Sequence, residues 1–244
     1  ATLRQQKPIV REFQDERDHC VMFLLDCGRR MRAHDGVSEL TGSAPFDGSP
    51  LERQRPLGGS HFDQALNALM LLSYVALADG DAVGAITYGG TQTRRFAPRK
   101  GVANLNALMV ALHDLQPEPV HADLQTAAAG LMKTHSKRSL IVILTDLRDE
   151  DTAEVAPALA LLRTRHLVLL ASLRETVLQE VATQPLQERR HAVEAAAAHA
   201  FAQARQDAFA KLANKDGLVI DVEPNRLAAE LVNHYHAVKR SGRL

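Results

Sequence analysis

Two aspartates carry most of the chemistry this sequence can offer. Asp26 ends the apolar run CVMFLLD, and Asp146 directly follows the apolar run LIVILT. Runs of this kind read as parallel strands buried on both faces. Open parallel sheets bind ligands beyond the carboxyl ends of their strands, so both carboxylates are expected to point into one crevice. Two like charges held close together need a counter-charge or a raised pKa. A divalent cation could supply the charge, and an oxygen-only site suits Mg²⁺ or Mn²⁺. A guanidinium could do the same, and Arg29 and Arg30 lie just beyond Asp26. We therefore expect one of these arginines to pair with Asp26 or Asp146 in place of a metal. The plainer reading is that an Asp at a strand end caps a helix or loop. Thr145 is most simply a strand residue, with a hydroxyl able to bond to Asp26.

Other chemistries find less support. The stretch DCGRRMRAHDG after the first run has neither a dinucleotide-binding nor a phosphate-binding glycine pattern. No nucleophile elbow occurs, and in Gly59-Ser60-His61 the residues Ser60 and Asp63 read as helix caps. Cys27 follows Asp26, yet a free cysteine is usually a small buried hydrophobe. Eleven histidines are present, without His-Glu-x-x-His or Cys-x-x-Cys spacing. The acidic cluster Asp146, Asp149, Glu150 and Asp151 suits the start of the next helix. The basic residues Arg94, Arg95, Arg99 and Lys100 suit an edge strand guarded against aggregation.

These residues need elements to position them. Strand-like runs occur at 20–26, 82–88, 140–145, 166–171 and 217–222. Helical patterns fall at 63–78, 102–115, 122–132, 152–163, 186–212 and 224–238. The 152–163 helix is expected to open with a capping box through Asp151 or Thr152 and Glu154. Strands alternating with helices imply a mostly parallel sheet covered on both faces. Gly89-Gly90 reads as a tight hairpin into an antiparallel edge strand over 91–97. Lys7–Phe13 could add a short strand. Residues 33–60 form a long loop rich in Gly, Ser and Pro, and such loops are usually functional or disordered. No repeat or internal boundary is visible, so 1–244 is read as one domain.

Lys plus Arg and Asp plus Glu both number 29, so the formal charge is zero and the chain lacks a global nucleic-acid footprint. Cys20 and Cys27 sit at the two ends of one strand, over about 20 Å apart, too far for a disulfide. Reduced thiols point to the cytosol. The first residues are polar and basic, and no apolar run is long enough to span a bilayer.

The order of elements resembles the von Willebrand factor A fold. LLDCGRRM stands where that fold has an Asp-x-Ser-x-Ser motif, GDAVGAITYGG resembles its second strand, and ILTDLRDED carries its second metal-site Asp. Beyond the fold, the chain resembles the bacterial domain of unknown function 58 family. The resemblance runs through VREFQDERD, LDCGRRM, FDQALNALMLLSYVALADGDAVG, LQPEPVHADLQTA, RSLIVILTDLRDE, RHLVLLASLRE and LVNHYHAVKRSGRL. It implies a von Willebrand factor A-like three-layer sandwich, encoded beside MoxR-type AAA+ ATPases. Family members commonly carry transmembrane segments before this domain. With an opening that lacks an initiator Met, this leads us to expect a piece of a longer protein at the cytoplasmic face of the inner membrane.

In the parent fold two Ser hydroxyls, a Thr hydroxyl and the carboxylates hold a divalent cation, and a partner's acidic side chain completes its ligands. Here the Ser positions hold Gly28 and Arg30, and the Thr position falls near Ala122, beside Asp123. The metal-ion-dependent adhesion site is therefore expected to be degenerate, with Asp26 and Asp146 as its only candidate metal ligands. The expected function is non-catalytic protein binding, as an adaptor or assembly factor acting with a MoxR-type ATPase or its client. Asp26, Gly28, Arg29, Arg30, Asp123, Thr145, Asp146 and Arg148 are the expected contact surface. The alternative is a metal-dependent hydrolase using Asp26 and Asp146. No cofactor is expected beyond a possible Mg²⁺ or Mn²⁺.

Overall fold

A computed structural model describes residues 19–34, 59–185, 188–213 and 218–244. The proposed strand at 7–13 and most of the 33–60 loop lie outside the described residues. The elements are β1 (Cys20–Asp26), α1 (His61–Ala78), β2 (Ala82–Tyr88), β3 (Arg95–Arg99), α2 (Ala103–Leu112) and α3 (Leu124–Thr134). They continue with β4 (Leu140–Thr145), α4 (Thr152–Arg163), β5 (Leu167–Leu173), α5 (Thr176–Thr183), α6 (Arg189–Leu212), β6 (Leu218–Val222) and α7 (Leu227–Arg240). One six-stranded sheet runs β3-β2-β1-β4-β5-β6. Every neighbouring pair is parallel except β2–β3.

The period of two in the strands sorts the core into two halves. Val21, Phe23, Leu25, Val142 and Leu169 face α1, α2 and α7. Met22, Leu24, Ile141, Ile143 and Leu170 face α3, α4 and α6. β1, β4 and β5 are buried at every residue, which is why they read as unbroken apolar runs. Among the described residues the first strand, β1, lies in the middle of the sheet; the order then builds outward to β3 and crosses over to β4. That crossover makes a topological switch between β1 and β4, and a crevice opens beyond their carboxyl ends.

The elements depart from expectation in three places. The edge strand begins at Arg95 rather than 91. Thr91 is bound to Glu118 through its N–H and its hydroxyl, both at 3.0 Å, and the N–H of Arg94 donates to Thr87 Oγ1 at 2.8 Å. These bonds hold 91–94 as a loop. Of the stretch read as one helix over 186–212, Arg189–Leu212 is described as a helix, and α5 before it was not anticipated. The capping box expected at the start of α4 does not form. Asp151 instead accepts from the Arg148 N–H at 2.8 Å, and Thr152 Oγ1 donates to Asp149 O at 2.7 Å. At α1 the cap is as expected: Ser60 and Asp63 form a reciprocal capping box.

Candidate functional site

A row of polar side chains crosses the carboxyl edge of the otherwise apolar sheet. Asp26 pairs in register with Tyr88, Thr145 with Ser172, and Ser172 with Asp221. Leu25 and Leu144 pair one step before Asp26 and Thr145. Alternation turns this whole row toward the face of α3, α4 and α6. Thr145 Oγ1 donates to Asp26 Oδ2 at 2.7 Å, and the Gly28 N–H donates to Asp26 Oδ1 at 2.7 Å. Burial pushes the Asp26 carboxyl up to about 6. The bonds from Thr145 and Gly28 oppose that rise, the charge of Asp146 adds to it, and Arg30 weakly opposes it.

Asp146 turns the other way. Its Oδ2 lies 3.1 Å from Nδ1 of His61, the first residue of α1, which is completely buried. The two carboxylates line one crevice but take their hydrogen bonds from opposite faces of the sheet. The crevice encloses about 40 Å³ of water-sized space, and Gly28, Arg29, Arg30 and Thr145 also line it.

The arginine substitution does not occur as expected. Arg30 pairs with Glu150 at 2.8 Å and with Asp151, not with Asp26 or Asp146. Arg29 is exposed. The cause is local. Residues 29–32 form a turn of 3₁₀-helix whose Met31 is fully buried, and this swings Arg30 toward the acidic turn after β4. Asp123 also lies elsewhere: it caps α3, accepting from the Thr126 N–H at 2.9 Å, and lines a neighbouring groove. Arg148 pairs with Glu175 at 3.3 Å in a second groove, which it shares with Arg29 and Arg30.

A cation of the kind the fold implies takes about six oxygen ligands. The residues present do not fit that demand. A Cβ on Gly28 would stand 2.9 Å from Ala122 Cβ and 3.0 Å from Val120 O, so no hydroxyl has room there. A Cβ on Gly89, whose φ is +79°, would meet the same Ala122 at 2.7 Å. Gly28, Gly89 and Ala122 are close-packed against one another at the crevice. Among the described residues, no three His, Cys, Asp or Glu side chains group to hold a metal ion.

Two contributors were not read from the sequence. His61 could have been found from the Ser60–Asp63 capping box, which starts α1 at the residue after the cap and so at the same edge as Asp146. Arg205 left no local signal. From α6 it bonds Asp221 in a bidentate manner at 2.8–3.1 Å, donates to Ser172 Oγ at 3.0 Å and Leu173 O at 2.9 Å, and also reaches Leu147 O. The Leu147 N–H in turn donates to Ser172 Oγ at 3.0 Å. Arg205 thus fixes the backbone that carries Asp146. Cys27 behaves as the buried hydrophobe expected: burial pushes its thiol up to about 12.

The chain matches, over residues 1–215, the family described as "Protein of unknown function DUF58". It belongs to that family. The DUF58 chain has the von Willebrand factor A-like architecture, by its strand order, its single antiparallel edge strand and its helices on both faces. Solved structures similar to it include the SpRpn10 VWA domain, at 13% identity and TM-score 0.45, covering 88% of this chain and 94% of that one. Another is the conserved hypothetical protein BatB from Bacteroides thetaiotaomicron, at 11% identity and TM-score 0.48, covering 91% and 99%. A third is an aerotolerance-related membrane protein from Bacteroides fragilis NCTC 9343, at 15% identity and TM-score 0.47, covering 88% and 97%. These likenesses concern the fold alone. No curated protein matches the chain. Among the described residues, no helix is long and apolar enough to cross a membrane.

Proposed function

We propose that the DUF58 chain is a protein-binding module with a degenerate metal site, and that its partner is a MoxR-type AAA+ ATPase met at the cytoplasmic face of the inner membrane. One observation carries the binding role. Both carboxylates of the crevice are already hydrogen-bonded by the protein itself: Asp26 by Gly28 and Thr145, Asp146 by His61. The inner crevice therefore serves as a rigid floor, and what faces outward is its rim. That rim mixes a half-exposed apolar residue, Val120, with charged residues such as Arg148. Such a blend suits a partner surface better than a small substrate. The partner itself is suggested by family resemblance alone.

The test is biolayer interferometry of the purified chain against a MoxR-type ATPase from the same organism. Val120→Asp with Arg148→Glu alters exposed side chains and leaves the buried row untouched. Binding weakened about tenfold by this pair is expected, a loss of roughly 1.4 kcal/mol. No binding by the parent chain, or equal binding by the variant, overturns the proposal.

One observation favours a second reading as a hydrolase. The Asp26 carboxyl, pushed up to about 6, lies in the range useful to a general base. Turnover of phosphate or carboxylic esters with added Mg²⁺ or Mn²⁺, abolished by Asp26→Asn, would establish that reading in place of the first.

A further inference from the structure

Beside the crevice lies an open groove of about 440 Å³ walled by four arginines, Arg29, Arg30, Arg32 and Arg148. Three acids also line it, and each is already engaged. Glu150 takes Arg30 at 2.8 Å, Glu175 takes Arg148 at 3.3 Å, and Asp146 lies 3.1 Å from His61. Arg30 is shared with Asp151 as well, so Arg29 and Arg32 are the two arginines of the groove left without an acid. Both are exposed, and neither makes an ion pair with a described residue.

Their placement follows from the turn that carries them. Residues 29–32 are a 3₁₀ turn, in which side chains at i and i+3 eclipse. Arg29 and Arg32 therefore stand on one side of it. Met31 is sunk in the core and Arg30 is tied to the acidic turn, so the backbone between them is pinned at both intermediate positions. The Arg29 N–H is held as well, donating to Val120 O at 2.9 Å. A pair of guanidiniums on a fixed base loses less freedom on binding than one on a mobile loop. Guanidinium geometry also suits bidentate contact with carboxylates.

We infer that Arg29 and Arg32 receive an acidic peptide segment of a protein partner, its carboxylates seated in this groove. This rests on the reading of the rim as an interaction surface and adds the chemistry of what docks there. Glu150, with 70% of its side chain exposed, stands beside the pair. A carboxylate in the lining disfavours a continuous polyanion there. The zero formal charge of the chain likewise offers a polyanion no extended track.

The experiment is fluorescence anisotropy of the whole chain with a labelled peptide of alternating Glu and Gly, against a Gln-for-Glu copy. Expected is binding of the Glu peptide only, weakened about tenfold by Arg29→Gln with Arg32→Gln. An equal charge change at the exposed edge-strand pair, Arg95→Gln with Arg99→Gln, should leave it within about twofold. Circular dichroism should show all three chains equally folded, since every substituted side chain is exposed. Equal binding of both peptides, or equal loss from both arginine pairs, overturns the inference as unspecific attraction. Anionic lipid vesicles binding in the Glu peptide's stead, with the same dependence on Arg29 and Arg32, overturn it in favour of a membrane surface. The two proposals fail separately. ATPase binding without peptide binding removes only the acidic segment, and peptide binding without ATPase binding removes only that partner.

Discussion

Asp26 holds a carboxyl in a place from which the sheet and α3 have largely removed water, and that sets a sign that can be measured. Its folded pKa, about 6, lies above its ordinary value of 3.8. Protonation therefore favours the folded state. The stabilisation is complete below the unfolded value and is lost as pH rises from about 4 through 6. Asp26→Asn keeps the neutral shape at every pH. Its stability relative to the parent should improve by about 2 kcal/mol between pH 4 and pH 7.5, measured by urea unfolding at each pH. A difference that stays constant with pH would mean that Asp26 is solvated. Gly28 offers a steric counterpart. A side chain there meets Ala122 and the Val120 carbonyl at about van der Waals overlap. Gly28→Ser should cost about 1–3 kcal/mol of stability and should bring no Mg²⁺ heat in titration calorimetry, although it restores a hydroxyl of the fold's usual set. A Mg²⁺ heat without loss of stability would show that the packing can open to admit a ligand.

At the level of elements, two side chains join parts of the chain that sequence proximity does not. Arg205 is buried and gives up most of its donors to the ends of β5 and β6 and the backbone after Asp146. Truncating one partner of a buried ion pair costs about 3–5 kcal/mol. Arg205→Ala should fall in that range by urea unfolding and should loosen the turn 147–151 in hydrogen exchange. An effect under about 1 kcal/mol would mean that α6 contributes little to the site. At the opposite end of the sheet, His166 immediately precedes β5, stacks on His135 at 5.7 Å, and has neither ring nitrogen bonded. Burial, then the neighbouring His135 and Arg165, lower its pKa from 6.5 to about 4. The unfolded chain takes up that proton first, so stability is whole above pH 6.5 and declines as pH falls toward 4. His166→Phe should flatten this decline; an unchanged slope would place the acid sensitivity elsewhere. These contrasts also explain what the sequence could reveal. β1, β4 and β5 were legible because both their faces are buried, and Asp26 and Asp146 because strand ends are easy to locate. Arg205 and the partners of Arg30 were not, because they are set by how α6 and the 3₁₀ turns lie across the sheet. No local pattern encodes that. The edge strand slipped by four residues for a related reason: its start is decided by Glu118, far away in sequence.

The molecule as a whole divides its labour between a rigid centre and a patterned edge. β1 and β4 lie side by side in the middle of the sheet, covered on both faces, and they carry Asp26 and Thr145. β3 is exposed at every second residue, contains Pro98, and pairs with β2 across a register shift. Pro98 N and Phe96 O lie close enough to Gly84 that only a glycine fits there, so the edge is pressed onto β2 at one point and loosened elsewhere. Local stability should follow this plan. In native-state hydrogen exchange, amides of β1, β4 and β5 should exchange only through global unfolding, while those of β3 exchange through smaller openings. The floor of the crevice would then stay fixed while the β2–β3 edge beside it moves, as a docking surface built on a rigid sheet requires. If β3 and β1 exchange together, the sheet opens as one unit and the crevice has no separate rigid floor.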